Sequence, residues 1–81
     1  MEQTLRRRIS TNPDVMAGKA VIAGTRIPVD LIVKLVGQGM TREAILEDYP
    51  ALSDADIQAA LLYAAEVVAN EEVFPLSTGK T

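Results

Sequence analysis

Between positions 29 and 38 the chain reads VDLIVKLVGQ, with polar Asp30, Lys34 and Gln38 four positions apart and apolar residues filling most of the rest. Residues four apart share a helix face, so these three form one narrow stripe, and the pattern predicts a helix over 29–38 that is buried nearly all round. Asp30 near its start suits the helix dipole, and Gly39 beyond its end can take the left-handed backbone that closes a helix. A second helix is predicted over 42–49, with Thr41 as N-cap, Met40 and Ile45 at staple positions and Pro50 as its stop. A third begins at Ser53, where Ser53 and Asp56 have capping-box spacing and Leu52 and Ile57 that of a staple. It extends to residue 72, with Ile57, Leu61, Ala64, Ala65 and Val68 as its core stripe.

Ahead of the helices the period changes. Ile9, Val21, Ile22 and Ile27 are β-formers, and in GKAVIAGTRIPV, residues 18–29, Ala23-Gly24 divides two short apolar runs. That predicts a short hairpin in which Gly24 supplies a positive φ. The fold class is therefore mostly α: a short N-terminal β-hairpin followed by three helices within a single domain, 1–72. Pro75, Ser77, Thr78 and Gly79 then predict a flexible tail over 73–81. The link Pro50-Ala51-Leu52 between two capped helices has the spacing of a helix-turn-helix, and equally that of a plain helical bundle.

With 81 residues there is room for one core, and a domain of this size is marginal on its own. The absence of cysteine and histidine rules out disulfides and removes the soft metal ligands, which leaves oligomerisation as the route to extra stability. The expected assembly is a homodimer that uses Val21 and Ile27 of the hairpin with Leu31, Val33 and Val36 of the first long helix. No signal-like or membrane-spanning run occurs, LIVKLVG being far short of the ~20 residues a span needs, so the expectation is a cytoplasmic protein without membrane contact.

Charge divides the chain. Residues 1–34 carry six Lys or Arg against three acids, net +3, whereas residues 35–81 carry two against eight, net −6. Any nucleic-acid contact is expected at the N-terminal end, through Arg6, Arg7 and Arg8 as a basic arm, with Arg26 on phosphate, on a partner or paired with an acid such as Asp30. In the third helix Gln58 is the residue suited to read a base edge, but Asp54 and Asp56 beside it would repel phosphates.

Catalytic chemistry is not indicated. Glu43, Glu47, Asp48, Asp54 and Asp56 fall on first turns or exposed helix faces, where carboxylates are favoured electrostatically. AGKAVIAGT lacks the glycine spacing and the hydroxyl after Lys19 that a phosphate loop needs. No metal site, cofactor or small-molecule substrate is therefore expected. Tyr49 and Tyr63 read as core edges with wet hydroxyls. In the tail, Phe74 and Leu76 flank Pro75 and read as a latch on the third helix or as an anchor for another chain, and Phe74, Leu76 and Lys80 are the expected partner contacts.

The segments NPDVMAGKAVIAGTRIPV and GMTREAILEDYPALSDADIQAALLYA, which lie within residues 12–65, resemble the family known as domain of unknown function 433. Ala20 departs from the proline expected after the Gly-Lys pair. The resemblance implies a homeodomain-like helix-turn-helix preceded by a β element. It also implies a role as a VapB-type antitoxin of a type II toxin-antitoxin module, with a PIN-like ribonuclease and operator DNA as partners. The alternatives are a stand-alone DNA-binding regulator and a homodimeric scaffold domain.

Overall fold

The structure, a computed structural model, describes residues 3–11, 14 and 18–70. In chain order the elements are α1 (Gln3–Arg6), β1 (Ile9–Ser10), β2 (Val21–Ile22), α2 (Val29–Gly37), α3 (Arg42–Asp48) and α4 (Asp54–Asn70). The protein is thus mostly helical, with a small antiparallel sheet ahead of the main helices. Among the described residues there are four helices where three were expected, the extra one being α1. A single turn with the sequence QTLR has no apolar period to announce it and is too short to persist alone. It forms where it packs against α4.

The β element also departs from expectation. β2 pairs with β1, in the register Ile9↔Ile22 and Ser10↔Val21, rather than forming an isolated hairpin with the segment after Gly24. That segment contributes only a bridge, Val21↔Pro28, with Ile22 N–H donating to Ile27 O at 2.9 Å and Val29 N–H to Ala20 O at 2.9 Å. β2 is therefore flanked on both edges. Between the two runs, Thr25 N–H donates to Ile22 O at 3.0 Å and closes a turn whose third residue, Gly24, has φ +80°. A β-carbon at Gly24 would meet nothing within 4 Å, so the backbone angle, not crowding, is what calls for glycine there. The Thr25 hydroxyl also donates to Ile22 O at 2.7 Å and accepts from Ile27 N–H at 3.0 Å, which satisfies polar groups that the missing ladder leaves over.

The helix ends follow the sequence signals. Past α2, Met40 N–H donates to Leu35 O at 3.1 Å and Gly39 N–H to Val36 O at 3.0 Å around Gly39 at φ +90°, a Schellman cap. Thr41 Oγ1 accepts from Ala44 N–H at 3.1 Å and starts α3. At α4 the capping box forms with aspartate in place of glutamate: Ser53 N–H donates to Asp56 Oδ2 at 2.9 Å and Asp56 N–H to Ser53 Oγ at 3.3 Å.

The core joins Ile22, Val29, Ile32, Ile45, Leu52, Ile57 and Ala60, with half-buried Tyr49 and Tyr63 packed at its edge. α2 makes its main contact with α4. The stripe expected on α4 is only partly its buried face. Ile57 is fully covered, but Ala65 is exposed and Val68 is 60% exposed, while Ala59 and Ala60 are completely buried. Two causes act together. α2 has nine residues against seventeen in α4, about 13 Å against 25 Å at ~1.5 Å per residue, so the last turns of α4 run past it. Ala59 lies about 200° around the helix from Ile57, on a second covered face, and α1 and β1 both pack against α4. The predicted continuation of this helix to residue 72 and the tail 73–81 lie outside the described residues. Among the described residues no helix is long and apolar enough to cross a membrane.

Candidate functional site

Two surfaces gather the residues of interest. At the first, the basic run at the start of the chain is built into the fold instead of forming a free arm. Arg6 ends α1 and its Nη1 lies 3.1 Å from Glu66 Oε1 on α4. Arg8 lies just before β1, and its Nη1 donates to Asp56 Oδ1 at 3.0 Å. Arg7 between them is exposed. Ala23 N–H donates to Arg8 O at 2.7 Å, which brings the Gly24–Thr25 turn, with exposed Arg26 on it, beside this run. Arg26 and Asp30 form no ion pair; Asp30 Oδ2 instead lies 3.0 Å from Lys19 Nζ.

The same contacts change the electrostatics of α4. Asp56 is 7% exposed and uses one carboxylate oxygen for the Ser53 cap and the other for Arg8. Asp54 is held from α3 by Arg42, Nε to Oδ1 at 2.7 Å and Nη2 to Oδ2 at 3.5 Å. That hydrogen bond keeps the Asp54 carboxyl below its ordinary range and raises Arg42 above its own. Both carboxylates expected to repel phosphates from α4 are therefore neutralised by arginines, and Gln58 on the same helix is exposed. Neither pairing is visible in helical periodicity, because each joins two different elements.

The second surface is apolar. A groove of about 380 Å³ runs between α2 and the C-terminal half of α4, floored by Ala20, Val29, Val33, Tyr63, Ala64, Val67 and Val68, with Lys19, Asp30 and Lys34 around it. A smaller, more polar depression of about 300 Å³ shares Tyr63 and Val67 and adds Arg6, Glu66 and Asn70. Sequence reasoning missed the groove because it assigned Val68 to the core. The residues proposed for dimerisation do not form one patch. Val21 is 2% exposed, Val33 lines the groove, and Leu31 lies two positions from Val33, about 200° around α2. Ile27 and Val36 are half-buried against the protein's own core. Phe74, Leu76 and Lys80, read as partner contacts, lie outside the described residues. Among the described residues no group of three or more His, Cys, Asp or Glu is placed to hold a metal ion.

Residues 9–64, from β1 into α4, match the family described as Protein of unknown function (DUF433). The chain belongs to the DUF433 family. The uncharacterized protein y4eO of Sinorhizobium fredii is similar, 36% identical over 59 residues that make up 73% of this chain and 27% of that protein. The DUF433 chain thus spans well under half the length of this relative. It also resembles the crystal structure of a DUF433 member from Anabaena variabilis, with a TM-score of 0.73 and 36% identity, covering 83% of this chain and 66% of the other. Arg6, Arg7 and Arg8, together with the groove residues Val67 and Val68, fall outside the matched residues 9–64.

Proposed function

We propose that this DUF433 protein is a non-catalytic adaptor of the antitoxin type, a homodimer with a homeodomain-like α2–α4 unit that neutralises a PIN-like ribonuclease and occupies its own operator. The resemblance of GTRIPV and EDYPALS to that family supports the antitoxin role. One observation carries the adaptor reading: the α2–α4 groove is an apolar floor with charges only around it. Small-molecule sites place a few convergent polar groups within the pocket. A floor of valine, alanine and tyrosine instead suits an apolar polypeptide segment, which buries side chains and leaves its own charges at the rim. Co-expression with a PIN-like ribonuclease tests the reading. The purified pair should be inactive on RNA, and Val67→Glu should release the nuclease. A nuclease that stays active in the presence of a folded excess of this protein would sink it.

A second reading, a DNA-binding regulator, gains from the pairing of Asp54 with Arg42 and of Asp56 with Arg8. With both carboxylates neutralised, α4 can approach a phosphate backbone at lower electrostatic cost, with Gln58 exposed on it and Arg7 and Arg26 as charges without an ion pair among the described residues.

A further inference from the structure

The α2–α4 groove adjoins the end of the described chain. Its α4 wall is made by Tyr63, Ala64, Val67 and Val68, and the last described residue, Asn70, follows Val68 by two positions. Val67 and Val68 are 43% and 60% exposed, a cost in apolar exposure that the described residues leave unmet. The sequence continues Glu71-Glu72-Val73-Phe74-Pro75-Leu76.

We propose that the groove is the seat of the protein's own tail, with Phe74 and Leu76 on its apolar floor. This rests on the reading of the groove as a polypeptide surface, and names its occupant in the free protein. Reach allows it: four residues from Asn70 to Phe74 span up to about 13 Å and six to Leu76 up to about 20 Å, against roughly 10 Å along α4 from Asn70 back to Tyr63. Spacing favours it, because in extended chain residues i and i+2 point to the same side. Phe74 and Leu76 can therefore enter together while Pro75 between them limits the entropy lost on ordering. Charge is complementary: Glu71 and Glu72 precede the anchors, and Lys34 at the rim has no ion pair among the described residues. Size argues against a second copy as the occupant. A stable interface takes about 800 Å² and some 20–30 residues from each partner. The groove is lined by ten residues and has the dimensions of a seat for two large side chains.

Methyl and aromatic NMR of the full chain, with isotope-filtered mixing of labelled and unlabelled protein, tests this directly. The expected result is a set of intramolecular contacts from the Phe74 ring to the methyls of Val33, Val67 or Val68. They should be lost in Val67→Glu and retained in Leu62→Glu, a control at a position 39% exposed that does not line the groove. Replacing Phe74 and Leu76 together by alanine should speed amide exchange in the last turns of α4 about tenfold, and should tighten binding of the ribonuclease by freeing the groove. Contacts seen only between labelled and unlabelled chains would overturn the proposal, as would groove methyls unmoved by the double substitution. Weaker ribonuclease binding by that variant would instead make the tail an anchor for the partner and equally overturn it. Whether Val67→Glu still binds the nuclease is a separate result, which judges the adaptor reading alone.

Discussion

The Arg8 guanidinium lies 3.0 Å from Asp56 Oδ1, and this contact joins the residue before β1 to the first turn of α4 across 48 positions of sequence. The other Asp56 oxygen closes the α4 cap by accepting from Ser53 N–H. A glutamate is the usual partner in a capping box. Here the shorter aspartate serves the cap and an ion pair with its two oxygens while only 7% exposed, so one carboxylate holds both a helix end and the N-terminal segment.

Loss of either partner should be felt unequally. Arg8→Ala leaves a covered carboxylate with the cap alone and is expected to cost about 1–2 kcal/mol, at the low end for charged hydrogen bonds because the Arg8 side chain is 40% exposed. Asp56→Ala also removes the carboxylate half of the capping box, leaving Ser53 Oγ on the backbone N–H of residue 56, and should cost roughly 1 kcal/mol more. Urea unfolding of both single variants and the double variant checks this: the double variant should resemble Asp56→Ala. Additive losses would show that the two residues do not act through each other.

The Arg42–Asp54 bridge should give a pH signature. Its hydrogen bond lowers the Asp54 carboxyl from the ordinary 3.8, so the stabilisation is fully present above that value and fades as pH falls through the lowered one. The melting-temperature gap between the natural protein and Asp54→Asn should be constant near neutrality and close under strongly acidic conditions. Because both groups face solvent, 0.5 M salt should narrow it too. A gap independent of both pH and salt would remove the bridge as its cause.

Truncations along α4 should separate the covered face from the overhang. Ile57→Ala, at a position with no exposure, is expected to cost about 2–5 kcal/mol through lost burial and the cavity left behind. Val68→Ala, at 60% exposure, should cost well under 1 kcal/mol, with any remainder reporting the proposed tail contact. Chemical denaturation with an unchanged m-value is the measurement.

If operator DNA is bound, the arginines should contribute according to their pairing. Arg7→Ala and Arg26→Ala should each lower the salt slope of binding by up to about 0.9, one phosphate contact apiece. Arg6→Ala and Arg8→Ala should lower it less, because those guanidiniums already face Glu66 and Asp56. Gln58→Ala should alter sequence preference without changing the slope. Equal slopes for all four arginine variants would contradict this division.

Gly24→Ala supplies a backbone test. With φ at +80° and open space around the missing β-carbon, the expected cost is about 1 kcal/mol, entirely conformational. A larger loss would point to a contact beyond the turn.

Local signals in the sequence were sufficient for local structure. The four-residue polar spacing of α2, the Gly39 closure, the Thr41 cap and the Ser53/Asp56 box depend on neighbours within one turn, and each forms as the residues dictate. So does the positive φ at Gly24, since only the turn itself requires it. Tertiary structure decided what local rules cannot reach. β2 pairs with Ile9–Ser10 on one edge while the segment Ile27–Val29 bonds the other, an arrangement that joins residues too far apart for local rules to choose between them. Three arginines in a row resemble a free basic arm until carboxylates some 50–60 positions away are brought against two of them. The α4 stripe misled for a geometric reason: periodicity says which residues share a face, but not how far along that face a neighbour extends. α2 ends its contact before α4 does, so Val67 and Val68 become the wall of a groove rather than part of a core.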